Sequence, residues 1–98
     1  MTVVHMAMFR WNDGVTPEQV DAFIVDLATM PDRIDCLRKL RFGPDLHLRD
    51  GNFDFGVCAE LNEESEVSEY LDHPAHQELV ANHVVHMVHT RRAVQFSV

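Results

Sequence analysis

The chain has 98 residues, which suffice for one domain (1–98) with a single modest hydrophobic core. Its formal net charge of −8 at pH 7 argues against nucleic acid and anionic membranes as partners, because both attract Lys and Arg. Cys36 and Cys58 fit no metal or redox spacing, so two buried free thiols in a reducing compartment are expected. Without a signal-peptide pattern or a membrane-length apolar run, the sequence predicts a cytoplasmic protein.

The alternation of residues 2–11 predicts a first strand with two largely apolar faces. One face carries Val3, His5, Ala7, Phe9 and Trp11, and the other carries Val4, Met6, Met8 and Arg10. Such a pattern is typical of a strand that is covered on both sides. A turn signal, Asn12-Asp13-Gly14, follows the strand.

A helix is predicted to begin immediately after Thr16. Thr16 can cap the helix, Pro17 suits its first position, and Gln19 completes a capping box. Apolar residues then recur at helical spacing and predict the face that packs on the sheet: Val20, Phe23, Ile24 and Leu27. The pair Met30-Pro31 is expected to end this helix.

Two further strands and a short helix are predicted in the middle of the chain. The second strand is centred on residues 37–42 and interrupted by Gly43-Pro44, and Asp50-Gly51-Asn52 predicts a tight hairpin turn. Residues 53–61 alternate as a third strand. A short helix is then expected to start at Asn62-Glu63-Glu64, where acidic residues are favoured.

The short helix leads into the most distinctive stretch, Tyr70-Leu71-Asp72-His73-Pro74-Ala75-His76. Pro74 lacks an N–H and disfavours helical geometry in the preceding residue, so one helix should stop near His73 and another should begin at Pro74. Such a joint can hold Tyr70 and His76 close together, as in a functional site. A capped turn with a surface histidine is the alternative interpretation.

Helical periodicity after Pro74 places four residues on one narrow arc and turns two histidines away from it. The arc carries His76, Val80, His83 and Met87, whereas His86 and His89 lie off it. The last strand is predicted over residues 93–98, where Val94, Phe96 and Val98 alternate with polar residues.

The predicted order is β-α-β-β-α-β, an α+β, ferredoxin-like arrangement with a four-stranded antiparallel sheet and helices on one face. The second sheet face, with Val4, Met6 and Met8 as candidates, then needs a cover. A second copy of the chain is the simplest cover, so a symmetric homodimer is expected.

Three blocks carry a family resemblance that extends over nearly the whole chain. They are Val4-His5-Met6-Ala7-Met8-Phe9, Gly14-Val15-Thr16-Pro17-Glu18-Gln19, and the joint from Tyr70 to His76. With these blocks and their spacing the chain resembles the stress-responsive A/B barrel (Dabb) family. The resemblance implies a dimeric α/β barrel, in which two four-stranded sheets pack face to face.

The resemblance also implies candidate site residues. A few members resemble a plant polyketide cyclase that closes a linear polyketide into olivetolic acid by aldol chemistry. Its working tyrosine and histidine match Tyr70 and His76, another histidine matches His5, and an aromatic pocket wall matches Phe23. Leu27 stands where that cyclase has a tyrosine, which argues against the same substrate. Many other members look like stress-associated proteins without an assigned reaction.

Two functions from different classes follow. In the first, a cofactor-independent enzyme acts on a carbonyl-containing aromatic or polyketide-like molecule. His76 is the base, Tyr70 donates to the enolate oxygen and His5 orients the substrate or the base. Four residues would shape its apolar pocket: Phe23, Leu27, Val57 and Leu79. In the second, a dimeric stress protein binds an apolar ligand or contributes only a stable assembly. A Tyr70–His76 hydrogen bond is expected under both.

Other ligands and partners find less support in the sequence. Spacings of three residues spread His83, His86 and His89 around a helix, so no metal site is predicted. Related dimeric α/β barrels include haem-using and cofactor-free oxygenases, but nothing here selects that chemistry. Arg91-Arg92 is interpreted as a solvated strand end and not as a nucleic-acid surface.

Overall fold

The computed structural model describes residues 1–98 as four antiparallel strands with helices on one face. The strands are β1 (Val3–Trp11), β2 (Lys39–Pro44), β3 (Phe55–Leu61) and β4 (Val88–Ser97), in the sheet order β2-β3-β1-β4. The helices are α1 (Pro17–Leu27), α2 (Met30–Arg33), α3 (Ser65–Asp72), α4 (Pro74–Leu79) and α5 (Val85–Met87), with a π-helical turn (Val80–Val84) between α4 and α5. The predicted ferredoxin-like order is thereby confirmed.

The helix α1 begins as its sequence predicts. Thr16 Oγ1 accepts a hydrogen bond from the Gln19 amide (3.2 Å), and the Gln19 side chain accepts one from the Thr16 amide (2.9 Å). The helix ends at Leu27, three residues before the predicted end. Pro31 cannot donate a hydrogen bond to the Leu27 carbonyl, and residues 30–33 form the separate turn α2.

The second strand differs from its prediction at both ends. It begins at Lys39 and runs through Gly43 and Pro44, which were expected to interrupt it. β2 is an edge strand, where a proline is tolerated because one side of the strand needs no hydrogen-bond donor. The connection to β3 is a long loop (residues 45–54) closed by the Asp45 amide and the Asp54 carbonyl (2.9 Å), not a tight turn at residues 50–52.

The joint between α3 and α4 forms as the sequence predicts. The helix α3 ends at Asp72, His73 adopts an extended conformation (φ −59°, ψ 139°), and Pro74 starts α4. His73 Nδ1 accepts a hydrogen bond from the Ala75 amide (3.0 Å), which caps the new helix. Tyr70 is therefore held at the end of one helix and His76 in the first turn of the next.

The end of the chain departs most from the sequence-based expectation. The π-helical turn was not predicted, and β4 begins at Val88, five residues before the predicted residue 93. Val88 pairs with Trp11 of β1, where the register shifts at a bulge. His89 consequently lies on a strand and not on a helix. Hydrogen bonding to the central strand β1 therefore determines the conformation here, although the periodicity of the preceding residues favours a helix.

The sheet face opposite the helices exposes a strip of apolar side chains. Met6 is 42% exposed, Met8 44% and Phe96 45%, and Val94 on β4 adds to the strip. Val4 lies on this face by the alternation of β1, as expected, but it is only 7% exposed and adds little to the exposed strip. None of the helices is long and apolar enough to cross a membrane.

Candidate functional site

A cavity of about 280 Å³ lies between the sheet and the helices. All seven predicted site and pocket residues line it: His5, Phe23, Leu27, Val57, Tyr70, Leu79 and His76. The alternation of β1 turns His5 toward the helices, and the proline joint presents Tyr70 and His76 from above. The structure therefore brings the three proposed catalytic side chains to one cavity, and their chemical roles stay predictions.

The Tyr70 ring lies against both imidazoles. The ring centroids of Tyr70 and His76 are 4.9 Å apart, and those of Tyr70 and His5 are 6.1 Å apart, both in edge-on arrangements. Contrary to the expectation from sequence, no hydrogen bond joins Tyr70 and His76. The phenol and the imidazoles contact one another through ring edges. Their polar atoms do not hydrogen-bond to one another.

His5 is fixed by a residue that sequence reasoning did not single out. His5 is 2% exposed, and Gln95 Nε2 donates a hydrogen bond to its Nδ1 (2.8 Å). The two residues are cross-strand partners in the β1–β4 pair. Because Nδ1 accepts this bond, the neutral ring carries its proton on Nε2. His5 can therefore donate a hydrogen bond through Nε2, which suits an orienting group better than a base.

His76 carries the one buried side-chain polar atom without a partner, its Nδ1. A buried polar atom that makes no hydrogen bond destabilises the protein by about 1–3 kcal/mol. Burial lowers the pKa of His76 and outweighs the Leu71 carbonyl, which raises it. Burial also lowers the pKa of His5, helped by the positive charge of Arg91. Both imidazoles are therefore neutral at neutral pH, the form in which histidine can take up a proton.

The phenol of Tyr70 stays protonated over the physiological range. Burial raises the pKa of Tyr70 to about 12, with a smaller contribution from Cys36. A neutral phenol can donate a hydrogen bond to a substrate oxygen that gains negative charge. The cavity thus combines neutral proton acceptors with a neutral donor.

Exposed polar residues border the mouth of the cavity: Asp72, Gln77 and Arg91. Sequence reasoning placed Arg91 at a solvated strand end, because the predicted last strand began at residue 93. In the observed register Arg91 pairs with Phe9 and shares the helix-facing side of β4 with Gln95. An extension of the alternation back from residue 95 would have identified Arg91.

The remaining histidines lie outside the cavity. His83 Nε2 is 2.9 Å from Asp26 Oδ2, which ties the π-helical turn to α1, and its ring packs on Phe23. His86 and His89 are exposed. No three His, Cys, Asp or Glu side chains converge as metal ligands would.

The buried His5 and the partly buried His76 predict a pH-dependent stability. Their pKa values are lowered below 6.5 in the folded state, so below pH 6.5 the unfolded chain binds protons that the folded chain does not. The contribution of these two neutral histidines to the free energy of unfolding is therefore fully present above pH 6.5 and is lost as the pH falls below it. We expect the free energy of unfolding to fall between pH 7.5 and 5.5, by at most about 1.4 kcal/mol per pH unit for each histidine.

Urea denaturation of the variants His76→Gln and His86→Gln tests this dependence at one fixed protein concentration. His76→Gln should show a shallower dependence than the wild type, whereas the exposed His86 should be replaceable without effect on the slope. Equal slopes for all three proteins would contradict the prediction.

Fold and cavity together define the class of protein: a ferredoxin-like α+β domain with an apolar cavity that carries neutral acid–base groups. The model of the stress responsive A/B barrel domain (Dabb) matches residues 3–98, so the chain belongs to this family. The family predicted from the three sequence blocks is confirmed.

Three relatives illustrate the similarity. The stress-response A/B barrel domain-containing protein HS1 of Arabidopsis thaliana is 30% identical over 78 residues, 78% of this chain and 72% of the relative. A dimeric ferredoxin-like protein of unknown function from Thermobifida fusca is 44% identical, with a TM-score of 0.91 over 100% of this chain and 92% of that one. A hydroxynitrile lyase from Passiflora edulis is 14% identical, covers 99% and 93%, and has a TM-score of 0.85, which shows the shared fold alone.

Proposed function

We propose that the chain is a homodimer formed through the exposed apolar strip of its sheet. The strip carries Met6, Met8, Val94 and Phe96, and exposed apolar patches of this kind mark association surfaces. The Thermobifida relative, at 44% identity, is described as dimeric. Two sheets packed face to face through these strips would form the α/β barrel.

Replacing Met8 by Glu should dissociate this dimer. Each subunit would bury one carboxylate, and burying an unpaired charge costs several kcal/mol, so the dimer dissociation constant should rise at least about 100-fold. Sedimentation velocity over a concentration series measures the change. Val25→Glu introduces the same charge at an apolar residue of α1 that is 69% exposed, and it should leave the dimer intact. A dimeric Met8→Glu variant would contradict the proposed interface.

We further propose that the cavity is the active site of a cofactor-independent enzyme of the cyclase or lyase type, acting beside a carbonyl group. The observation that carries this proposal is the convergence of His5, Tyr70 and His76 on one largely apolar cavity. Both imidazoles are neutral and the phenol is protonated, as proton transfer at a carbonyl compound requires. The hydroxynitrile lyase with the same fold is an enzyme, so the architecture is compatible with catalysis.

The proposed reaction begins with proton removal. The neutral His76 ring takes a proton from the carbon next to the substrate carbonyl, and the electron pair of that C–H bond forms the enolate double bond. The carbonyl π electrons move to oxygen, where the Tyr70 hydroxyl donates a hydrogen bond to the developing charge. His5 donates through Nε2 and holds the substrate in place. The enolate carbon can then attack a second carbonyl in a cyclisation, or take the proton back.

The size of the cavity limits the substrate. A volume of about 280 Å³ is slightly below the range of typical small-molecule sites, roughly 300–1,000 Å³. The lining is mainly apolar, including Phe9, Phe23 and Leu79. These features favour a molecule with a single aromatic ring, or its linear precursor, over a fused polycyclic substrate.

Acetophenone provides a simple test, because its methyl protons are acidic and its ring is single. In D₂O the wild-type protein should exchange these protons for deuterium at least about 100-fold faster than the same concentration of free imidazole. Proton NMR measures the loss of the methyl signal. Binding of acetophenone without exchange would contradict the enzyme and favour a ligand-binding protein.

A further inference from the structure

One cation stands at the mouth of the proposed active site. Arg91 is the only lysine or arginine that lines the cavity. It extends from the edge strand β4 opposite Phe9, and Gln95, which holds His5, lies four residues further along the same face. The positive charge of Arg91 therefore lies on the same face of the sheet as His5, four residues along the strand from the cross-strand partner of His5.

No acidic side chain of the chain neutralises Arg91. The ion pairs of the structure are Arg33–Glu78, His47–Asp45 and His83–Asp26, and Arg91 belongs to none of them. Its positive charge acts inside the cavity, because it lowers the pKa of both His5 and His76. The other charged side chain on the cavity wall is Asp72, which is exposed at the mouth and makes no ion pair with Arg91.

An unpaired guanidinium beside a mainly apolar cavity suits an anion at the mouth. The apolar depth disfavours a charge, whereas Arg91 can hold a carboxylate through two parallel N–H···O bonds. The chain as a whole has a net charge of −8 and repels anions, so an anionic ligand needs such a local cation.

We propose, on the basis of the function proposed above, that the substrate is a single-ring or similarly small carbonyl compound that carries a carboxylate. Arg91 binds the carboxylate at the mouth, and the carbonyl end enters the cavity beside the rings of Tyr70 and His76. Asp72, the other charged residue of the lining, repels the carboxylate and weakens its binding. Arg91 is thus a residue that determines which ketones this site accepts.

Matched probes test this assignment. The acids 3- and 4-acetylbenzoate carry a methyl ketone and a carboxylate, and the corresponding acetylbenzamides have the same shape without the charge. Affinities are measured by ¹H–¹⁵N NMR titration of the full chain. The wild type should bind at least one acid about tenfold more tightly than its amide, because hydrogen bonds between charged groups are the stronger ones.

Two variants and one control assign the preference to the mouth. Arg91→Gln should reduce the preference for the acid to about twofold or less, and Asp72→Asn should increase it. Arg49→Gln removes the same charge from an exposed position that does not line the cavity, and it should leave the preference unchanged. The NMR spectrum of each variant reports whether the fold is retained, and Arg91 is exposed enough for its replacement to be tolerated.

Equal affinities for acid and amide in the wild type, a preference that survives Arg91→Gln, or no binding of any probe would overturn the inference. Deuteration of the ketone methyl group is followed in parallel samples prepared in D₂O and separates the two proposals. Deuteration without a preference for acids would support the proposed enzyme and contradict the proposed anion site. If the protein prefers acids in a way that depends on Arg91 but does not deuterate the ketone, the anion site would be supported and the proposed enzyme contradicted.

Discussion

Replacing His76 by Gln is expected to lower the rate of acetophenone deuteration by at least about 100-fold, the usual contribution of a positioned base. Glutamine retains a polar side chain of similar reach but cannot accept a proton at neutral pH. Its effect on stability should be small, within about 1 kcal/mol, because Nδ1 of His76 has no hydrogen-bond partner and the nearby Leu71 carbonyl already accepts a hydrogen bond from Gln77 Nε2 (2.7 Å). Proton NMR gives the rate and urea denaturation gives the free energy of unfolding.

The control for this variant is His86→Gln, which makes the same chemical change on the exposed surface of α5. It should deuterate acetophenone at the wild-type rate. If His76→Gln instead lost several kcal/mol of stability and kept the exchange rate per folded molecule, His76 would serve packing and not proton transfer.

Replacing Tyr70 by Phe should have an effect of similar size by a different route. The ring that contacts His5 and His76 is kept, and only the donor to the enolate oxygen is removed. Loss of one such donor lowers the rate constant by about 100- to 1,000-fold. Because the charge on oxygen develops only in the transition state, kcat should fall while KM changes little.

The stability of Tyr70→Phe separates this role from a structural one. The pKa of Tyr70 is raised to about 12 by burial and by Cys36, with no hydrogen bond contributing. Removal of the hydroxyl should therefore change the free energy of unfolding by less than about 1 kcal/mol. Substitutions that create a defect in a hydrophobic core cost about 3 kcal/mol or more. A loss of stability of that size in Tyr70→Phe, with an unchanged exchange rate, would contradict the proposed role of Tyr70 as a hydrogen-bond donor.

Local signals made much of the fold predictable from sequence. The capping box at Thr16 and Gln19 depends on neighbouring residues alone, and it forms as expected. The break at Pro74 also depends on covalent geometry, so the relative placement of Tyr70 and His76 followed from the sequence. The alternation of β1 correctly placed His5 among buried residues.

Features that depend on distant partners were not predictable in the same way. The start of β4 at Val88 is decided by pairing with Trp11, 77 positions earlier in the chain, while the β-branched residues around it fit a helix or a strand. Because the last strand was predicted to start only at residue 93, Arg91, the only guanidinium of the cavity, was not assigned to the site from the sequence. The absence of a Tyr70–His76 hydrogen bond depends on side-chain packing that no sequence pattern specifies.

The central claim is that this cavity transfers protons at a carbonyl compound, and the most direct test is deuteration of acetophenone by the wild-type protein. Acetophenone should shift the NMR signals of cavity residues, and its methyl protons should exchange at least about 100-fold faster than with free imidazole. An occupied cavity with exchange no faster than that of imidazole would contradict the claim.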